Sequence, residues 1–313
     1  MERIGVIGGG TMGHGIAAAF ALHGAQVNLV EPSATQRDLI MPAIETALAL
    51  LVAEDYITAA QAATGRARVH VFGDLAPAMA DREFVVEAAP ERMALKQALL
   101  CELDGLCPHD TILATNTSSL PLAPMIAHLP ERRQARTMVT HWYNPPLVMP
   151  LVELSFFGNM APEIYAQVAA LHGAIGKQVV KVLKDAPGLV ANRIQMAVAR
   201  EVFSIIEQGI AEPADVDRAL KFGPAFRYAT TGQLEVADFG GLDIWLTVSD
   251  NLLAVMDAST KANDLLRAKV TAGKLGVKTG AGFFAYPPER VAAVRAAFMK
   301  RLVHQLKASK AYI

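Results

Sequence analysis

Charge is scarce in this chain. Of its 313 residues only 19% are Asp, Glu, Lys or Arg, and the formal net charge is -1. With no block of basic residues there is no electrostatic footprint for nucleic acid, so a nucleic-acid partner is not expected. Cysteine is scarcer still. Cys101 and Cys107 are too few for a disulfide framework and lack metal-ligand spacing, which fits a reducing, cytoplasmic setting and no bound metal. Long runs of large apolar side chains are also missing. Ile4 to Val30 carries no Lys, Arg, Asp or Glu, yet it holds seven glycines, two histidines, a Gln and an Asn. That mixture argues against a membrane span or a signal peptide. What the chain has in quantity is apolar residue, 52% of the total, enough for sizeable cores and a buried subunit interface.

Periodicity orders this material. "RIGVIG" reads as a strand, "MGHGIAAAFALHG" as a helix ending near Gly24, and "AQVNLVE" as a second strand closing at Glu31. An Ala-rich stretch from Thr35 to about Thr64 reads as one or two helices. Further on, "REFVVEAA", "TILATNTSS", "RTMVTHWYN", "MPLVELSF" and "KQVVKVLK" read as strands, with helices at "RMALKQALLCELDGL" and "PEIYAQVAALHGAIG". Pro145, Pro146 and Pro150 argue against regular pairing between the strands on either side of them. Strands alternating with helices predict an α/β fold with a doubly wound, mainly parallel sheet. After "DAPG" (Asp185–Gly188) the strand signals vanish. "GLVANRIQMAVAREVFSIIEQG" reads as a long helix, Pro213 opens another, and at least two more follow. Two domains are therefore expected, 1–184 and a smaller all-helical 185–313.

"GGGTMG" places Gly8, Gly10 and Gly13 in the G-x-G-x-x-G pattern, after a strand and at the start of a helix, with Glu31 ending the next strand. This is the dinucleotide-binding arrangement. Gly8 allows the tight turn, Gly10 lets the backbone approach a pyrophosphate, and Gly13 lets helix and strand pack closely. Helix N-terminal amides face the phosphates. Glu31 can accept from ribose hydroxyls and would repel a 2′-phosphate, so the expected cofactor is NAD. The alternative is a glycine-rich turn that binds nothing.

Six segments then follow in order: "GGGTMGHGIA", "VVEAAPERMALK", "ATNTSSL", "HWYNPPLVMPLVEL", "DAPGLVANRI" and "KLGVKTGAGFFAY". Together they resemble the L-3-hydroxyacyl-CoA dehydrogenase family over nearly the whole chain, including its relatives acting on free hydroxy acids (L-gulonate dehydrogenase, or lambda-crystallin, and carnitine dehydrogenase). The resemblance implies a Rossmann-type NAD-binding domain with an inserted helical pair, then a helical substrate and dimerisation domain, hence a homodimer. It implies an NAD-dependent oxidoreductase interconverting a secondary hydroxyl and a ketone on a 3-hydroxy acid or its CoA thioester. His141 and Glu153 stand at the family's catalytic dyad, and Ser118 and Asn192 where the substrate's reacting oxygen is positioned. Glu91 and Lys96 stand where relatives contact the nicotinamide end and ribose, and Thr11, Met12 and Asn116 complete the cofactor-binding set. The chemistry suits the residue types, since histidine is the usual base near neutral pH and a carboxylate can orient its ring.

Blander readings exist for several of these residues. Ser118 beside Ser119 could be a turn, Asn192 a helix-surface residue and Lys96 an exposed helix lysine. Trp142 and Tyr143 read as core packing, and the other histidines as structural or surface groups. Two departures bear on the substrate. Pro150 replaces the lysine typical of acyl-CoA members. Ser33–His70 holds only Arg37, Arg66 and Arg68 as strong bases, little for a CoA phosphate to pair with. A free hydroxy acid of the gulonate or carnitine kind, or a hydrated aldehyde, is the alternative substrate. A non-catalytic NAD-binding protein of crystallin type is the alternative class.

Overall fold

The computed structural model describes residues 1–312, which divide into two compact units. The first comprises Met1–Val190 with Leu302–Leu306, and the second Ala191–Arg301 with Lys307 onward. In the first unit the chain runs β1 (Arg3–Ile7), α1 (Thr11–Leu22), β2 (Gln26–Val30), α2 (Ala34–Ala53), α3 (Ala59–Ala67), β3 (Val69–Phe72), α4 (Leu75–Met79) and β4 (Phe84–Glu87). It continues through α5 (Met93–Leu106), β5 (Ile112–Thr115), α6 (Leu122–Ile126), α7 (Glu131–Gln134), β6 (Thr137–Trp142), β7 (Leu151–Ser155), α8 (Pro162–Ala174) and β8 (Gln178–Val182). The second unit is helical: α9 (Ala191–Glu207), α10 (Pro213–Phe222), α11 (Pro224–Tyr228), α12 (Gln233–Gly240), α13 (Leu242–Leu253), α14 (Asp264–Thr271) and most of α15 (Pro288–Ser309). Pro213 fills the first turn of α10, where its missing N–H leaves no helix bond unmade.

One eight-stranded sheet in the order β3-β2-β1-β4-β5-β6-β7-β8 carries the first unit. Its first six strands have the doubly wound order, reversing direction of travel between β1 and β4. The central strands are buried on both faces, which explains their near-continuous apolar runs. Alternate residues serve opposite layers. Ile4, Val6, Phe84, Val86, Ile112, Ala114 and Met138 join one core with α1 and Val168 of α8. Ile7, Val85, Leu113 and Val139 join the other with Leu100 and Leu103 of α5. This period of two decides where His141 faces. It shares Val139's side of β6, while Trp142 lies on the opposite side with Met138.

Two expectations need correction. The prolines do not prevent β6 and β7 from pairing: the two strands are antiparallel neighbours, with Thr140 opposite Leu154, His141 opposite Glu153 and Trp142 opposite Val152. All three prolines lie in the connection, outside the paired residues, so their missing N–H groups cost the ladder nothing. The second is an omission. Val69–Phe72 forms edge strand β3 against β2, although only the four residues "VHVF" carry a strand signal there.

Candidate active site

The carboxyl ends of β1, β2, β4, β5 and β6 deliver Gly8, Glu31, Glu87, Asn116 and His141 to one edge of the sheet, the edge at which open α/β sheets bind ligands. At the first of these ends the chain is shaped for close approach. Gly8 has φ +95, a conformation that glycine adopts freely. A Cβ on Gly13 would lie 1.7 Å from the Gly8 carbonyl oxygen, so only glycine lets α1 start this close to β1. A Cβ on Gly10, by contrast, would meet nothing within 4 Å, which leaves its backbone open to a ligand. Thr11 and Met12 form the first turn of α1, exposed and half-buried respectively. The Glu31 carboxylate is held by the backbone N–H of Gly9 at 3.0 Å and of Ser33 at 2.9 Å. Each oxygen keeps a lone pair for a ribose hydroxyl. These residues fit a dinucleotide without a 2′-phosphate.

Between β4 and β5 lies a group of charged side chains that the sequence only half disclosed. Lys96 is not an exposed helix lysine: it is 1% exposed, and its ammonium donates to both oxygens of Glu87, at 2.8 and 2.9 Å, and to the Ala89 carbonyl. Thr115 also donates to Glu87, at 2.6 Å. Glu87 was missed, though a carboxylate closing the apolar strand "FVVE" nine positions before a lysine is a readable signal. Glu91 accepts from the Thr117 hydroxyl at 2.7 Å and from the N–H groups of Ser118 and Ser119 at 3.0 and 3.1 Å. Partial burial opposes its ionisation. Those bonds and the Lys96 ammonium 3.5 Å away outweigh it, holding the carboxyl down at about 2. Asn116 anchors β6 instead of pointing away: its side-chain oxygen accepts the Trp142 N–H at 2.8 Å.

Directly opposed residues of an antiparallel pair share a face, so the β6–β7 register alone sets His141 beside Glu153. His141 Nδ1 is 2.8 Å from Glu153 Oε2, and Glu153 is fully buried. Its other oxygen, Oε1, accepts the Val190 N–H at 2.8 Å. Val190 was not anticipated, because a backbone donor leaves no trace in residue type. The Tyr143 ring stands edge-on to His141 at 5.9 Å, whereas Trp142 is core, packed edge-on against Phe20 and tilted against His172. Ser118 is half-buried on the loop after β5, and its carbonyl accepts the Gly188 N–H at 3.1 Å. Asn192 belongs to the second unit, half-buried in the first turn of α9. Among the described residues there is no His, Cys, Asp and Glu cluster able to hold a metal, and no helix long and apolar enough to cross a membrane.

Comparison with known proteins gives the family. Residues 3–186 match the NAD binding domain of 3-hydroxyacyl-CoA dehydrogenase, and residues 188–286 match its C-terminal domain. The 5-formyl-3-hydroxy-2-methylpyridine 4-carboxylate 5-dehydrogenase of Mesorhizobium japonicum is 34% identical over 97% of this chain and 96% of its own. A probable 3-hydroxybutyryl-CoA dehydrogenase of Bacillus subtilis is 33% identical over 91% and 98%. Among solved structures, a 5-formyl-3-hydroxy-2-methylpyridine 4-carboxylic acid 5-dehydrogenase, described as an NAD+ dependent dismutase, superposes with a TM-score of 0.90 at 31% identity, covering 99% of both chains. The (S)-3-hydroxybutyryl-CoA dehydrogenase of Ralstonia eutropha superposes at 0.73 with 32% identity, over 91% of this chain and 99% of that one. The chain belongs to the 3-hydroxyacyl-CoA dehydrogenase family and is an NAD-dependent oxidoreductase.

Proposed function

We propose that His141 is the general acid/base and Glu153 its orienting partner, in the oxidation of a hydroxyl on a carboxylate-bearing substrate that does not carry CoA. The observation that carries the chemistry is the buried contact between His141 Nδ1 and Glu153 Oε2. With Nδ1–H donated to the carboxylate, Nε2 is the nitrogen that takes the substrate's hydroxyl proton. Glu153 then stabilises the imidazolium, and the Val190 N–H keeps the carboxylate from turning away. Ser118 donates to the developing oxyanion; a fixed donor of this kind is worth about 3 kcal/mol of the barrier. Bound NAD supplies the acceptor for the hydride that leaves carbon. Gly8, Gly10, Thr11, Met12, Gly13, Glu31, Glu91 and Asn116 hold it, while Lys96, buried against Glu87, supports this wall of the site from behind.

Substrate choice rests on the charge of α2 and α3. Arg37 donates to the Glu31 and Pro32 carbonyls, and Arg66 pairs with Glu45, so two of the three strong bases there are already engaged. The likeness to the M. japonicum enzyme, named for a formyl pyridine carboxylate, supports a free acid and extends the proposal to a hydrated aldehyde. NADH formation should be compared on 3-hydroxybutyrate, L-gulonate, carnitine, 5-formyl-3-hydroxy-2-methylpyridine 4-carboxylate and 3-hydroxybutyryl-CoA. Turnover on free acids supports this reading. Turnover on the CoA ester alone, the chemistry named for the B. subtilis relative, overturns it.

The same reading includes a homodimer formed through the helical unit. Leu234 and Phe239 are each 83% exposed and Phe222 74%, with Leu242, Ile244 and Leu246 also exposed, a surface that favours burial against a second copy. Light scattering tests this, and a monomer at micromolar concentration counts against it. The two free cysteines, Cys101 and Cys107, are consistent with a cytoplasmic setting.

A further inference from the structure

The loop from Tyr143 to Pro150 joins the two strands that carry His141 and Glu153, and its composition leaves it short of donors. Pro145, Pro146 and Pro150 have no N–H, while every residue presents a carbonyl. The Pro145 carbonyl is satisfied inside the loop by the N–H groups of Val148 and Met149, and that of Pro150 by the N–H of Gln178. Those of Pro146 and Met149 are met from another element altogether. Lys177, in the turn between α8 and β8, donates its ammonium to the Pro146 carbonyl at 2.7 Å and to the Met149 carbonyl at 2.8 Å.

This lysine is 6% exposed, and its nitrogen sits 5.0 Å from the ring centroid of Trp142, the residue after His141. It therefore touches Trp142 just before the loop, the middle of the loop at Pro146 and its far end at Met149. Pro146 is also pressed against α1, where a Cβ on Gly15 would come within 2.6 Å of its Cγ. The loop is held by a helix that leaves no room for a side chain at Gly15 and by a buried amine.

We propose that Lys177 is a positioning residue for the reaction: by clamping the Pro146 and Met149 carbonyls it keeps β6 and β7 in the register that places His141 against Glu153. The proposal rests on these two residues being the catalytic dyad. Burial lowers the Lys177 ammonium from its ordinary range to about 7, and both carbonyl bonds survive this because a neutral amine still has two N–H groups. The clamp therefore does not depend on charge, and its loss is a loss of geometry, which costs turnover before it costs cofactor binding.

The test is Lys177→Met, with Lys177→Arg as the variant that retains donors. The Met variant should keep its NAD dissociation constant within about twofold and lose about 10- to 100-fold in kcat on the best free acid of the panel above. Nitrogen-15 spectra of the NAD complex should show His141 changing from a single Nδ1–H tautomer to a mixture, and the Arg variant should recover part of both. A folded Met variant with wild-type kcat, or one whose kcat falls with an unchanged tautomer signal, overturns the proposal. So does an equal loss of cofactor affinity and turnover. Should the Met variant not fold, Gly15→Ala pushes the same loop from α1 without touching Lys177. It should show the same tautomer mixture, and an unaltered spectrum with normal turnover overturns the link between loop and dyad. His141→Ala run in parallel separates the two readings. Turnover retained in that variant removes the dyad assignment; turnover lost there but normal in Lys177→Met removes only the clamp.

Discussion

Two strand ends of the same sheet, β1 and β6, are built on opposite principles. At the end of β1 the site is made by taking side chains away: Gly10 leaves its backbone open to a ligand, and Gly8 and Gly13 let α1 approach. At the end of β6 it is made by adding groups that are costly to bury, a histidine and a fully buried carboxylate, each with a fixed partner. On the proposed reading the first region binds through shape and the helix terminus. The second, on the same reading, works through proton position. A defect in one should therefore appear as lost cofactor affinity, and a defect in the other as lost turnover.

The sharpest test of that separation is His141→Ala. Turnover should fall by about 10²- to 10⁴-fold while the NAD dissociation constant, followed by fluorescence quenching, stays within about twofold. Near-normal rates would remove His141 as the base. Glu153→Gln should fall within the same range, because the amide keeps the shape but cannot stabilise an imidazolium; a loss of NAD affinity instead would dissolve the contrast.

His172 sits beneath both regions, its ring 5.7 Å from Phe20 of α1 and 5.3 Å from Trp142 of β6. Complete burial pushes its pKa down from 6.5 to about 4, with the nearby Lys177 adding to the effect. Below pH 6.5 the unfolded chain binds a proton that the folded chain does not, so stability is lost as pH falls from about 6.5 to 4. The full loss from this residue is about 3 kcal/mol. His172→Phe should flatten that limb in urea titrations at pH 7, 5.5 and 4.5. Parallel curves for variant and wild type would show that His172 does not carry the acid sensitivity.

On the cofactor side, Gly13→Ala forces a Cβ onto the Gly8 carbonyl, and NAD affinity should drop by about 100-fold. A matching fall in kcat at saturating NAD would break the proposed division of labour. The smallest effect belongs to Glu31→Ala, which removes the partner of the Gly9 and Ser33 amides. NAD binding should weaken about tenfold and discrimination against NADP should narrow, read from the ratio of the two dissociation constants. An unchanged ratio would detach Glu31 from cofactor choice.

Much of this was legible before any coordinates. Local patterns determined the strand–helix alternation, the glycine loop with Glu31, and the helical character of the chain after Asp185, because each is a matter of nearest neighbours along the chain. The pairing of β6 with β7 was misjudged because proline was weighed as a strand breaker, when it matters only whether the proline lies within the ladder. The burial of Lys96 against Glu87 could not be seen on the helix that carries it, since Glu87, itself held by Thr115, comes from a strand.

By itself the sequence determined the kind of chemistry: a dinucleotide turn, a histidine, a carboxylate and prolines of the right types in the right order. Only the tertiary structure decided how those groups meet. One antiparallel register sets His141 opposite Glu153, a backbone amide from Val190 fixes the carboxylate, and Lys177 reaches the carbonyls that three prolines left without donors. Contacts of that sort join residues far apart in the chain, and their energy depends on distance and burial, which residue order does not record.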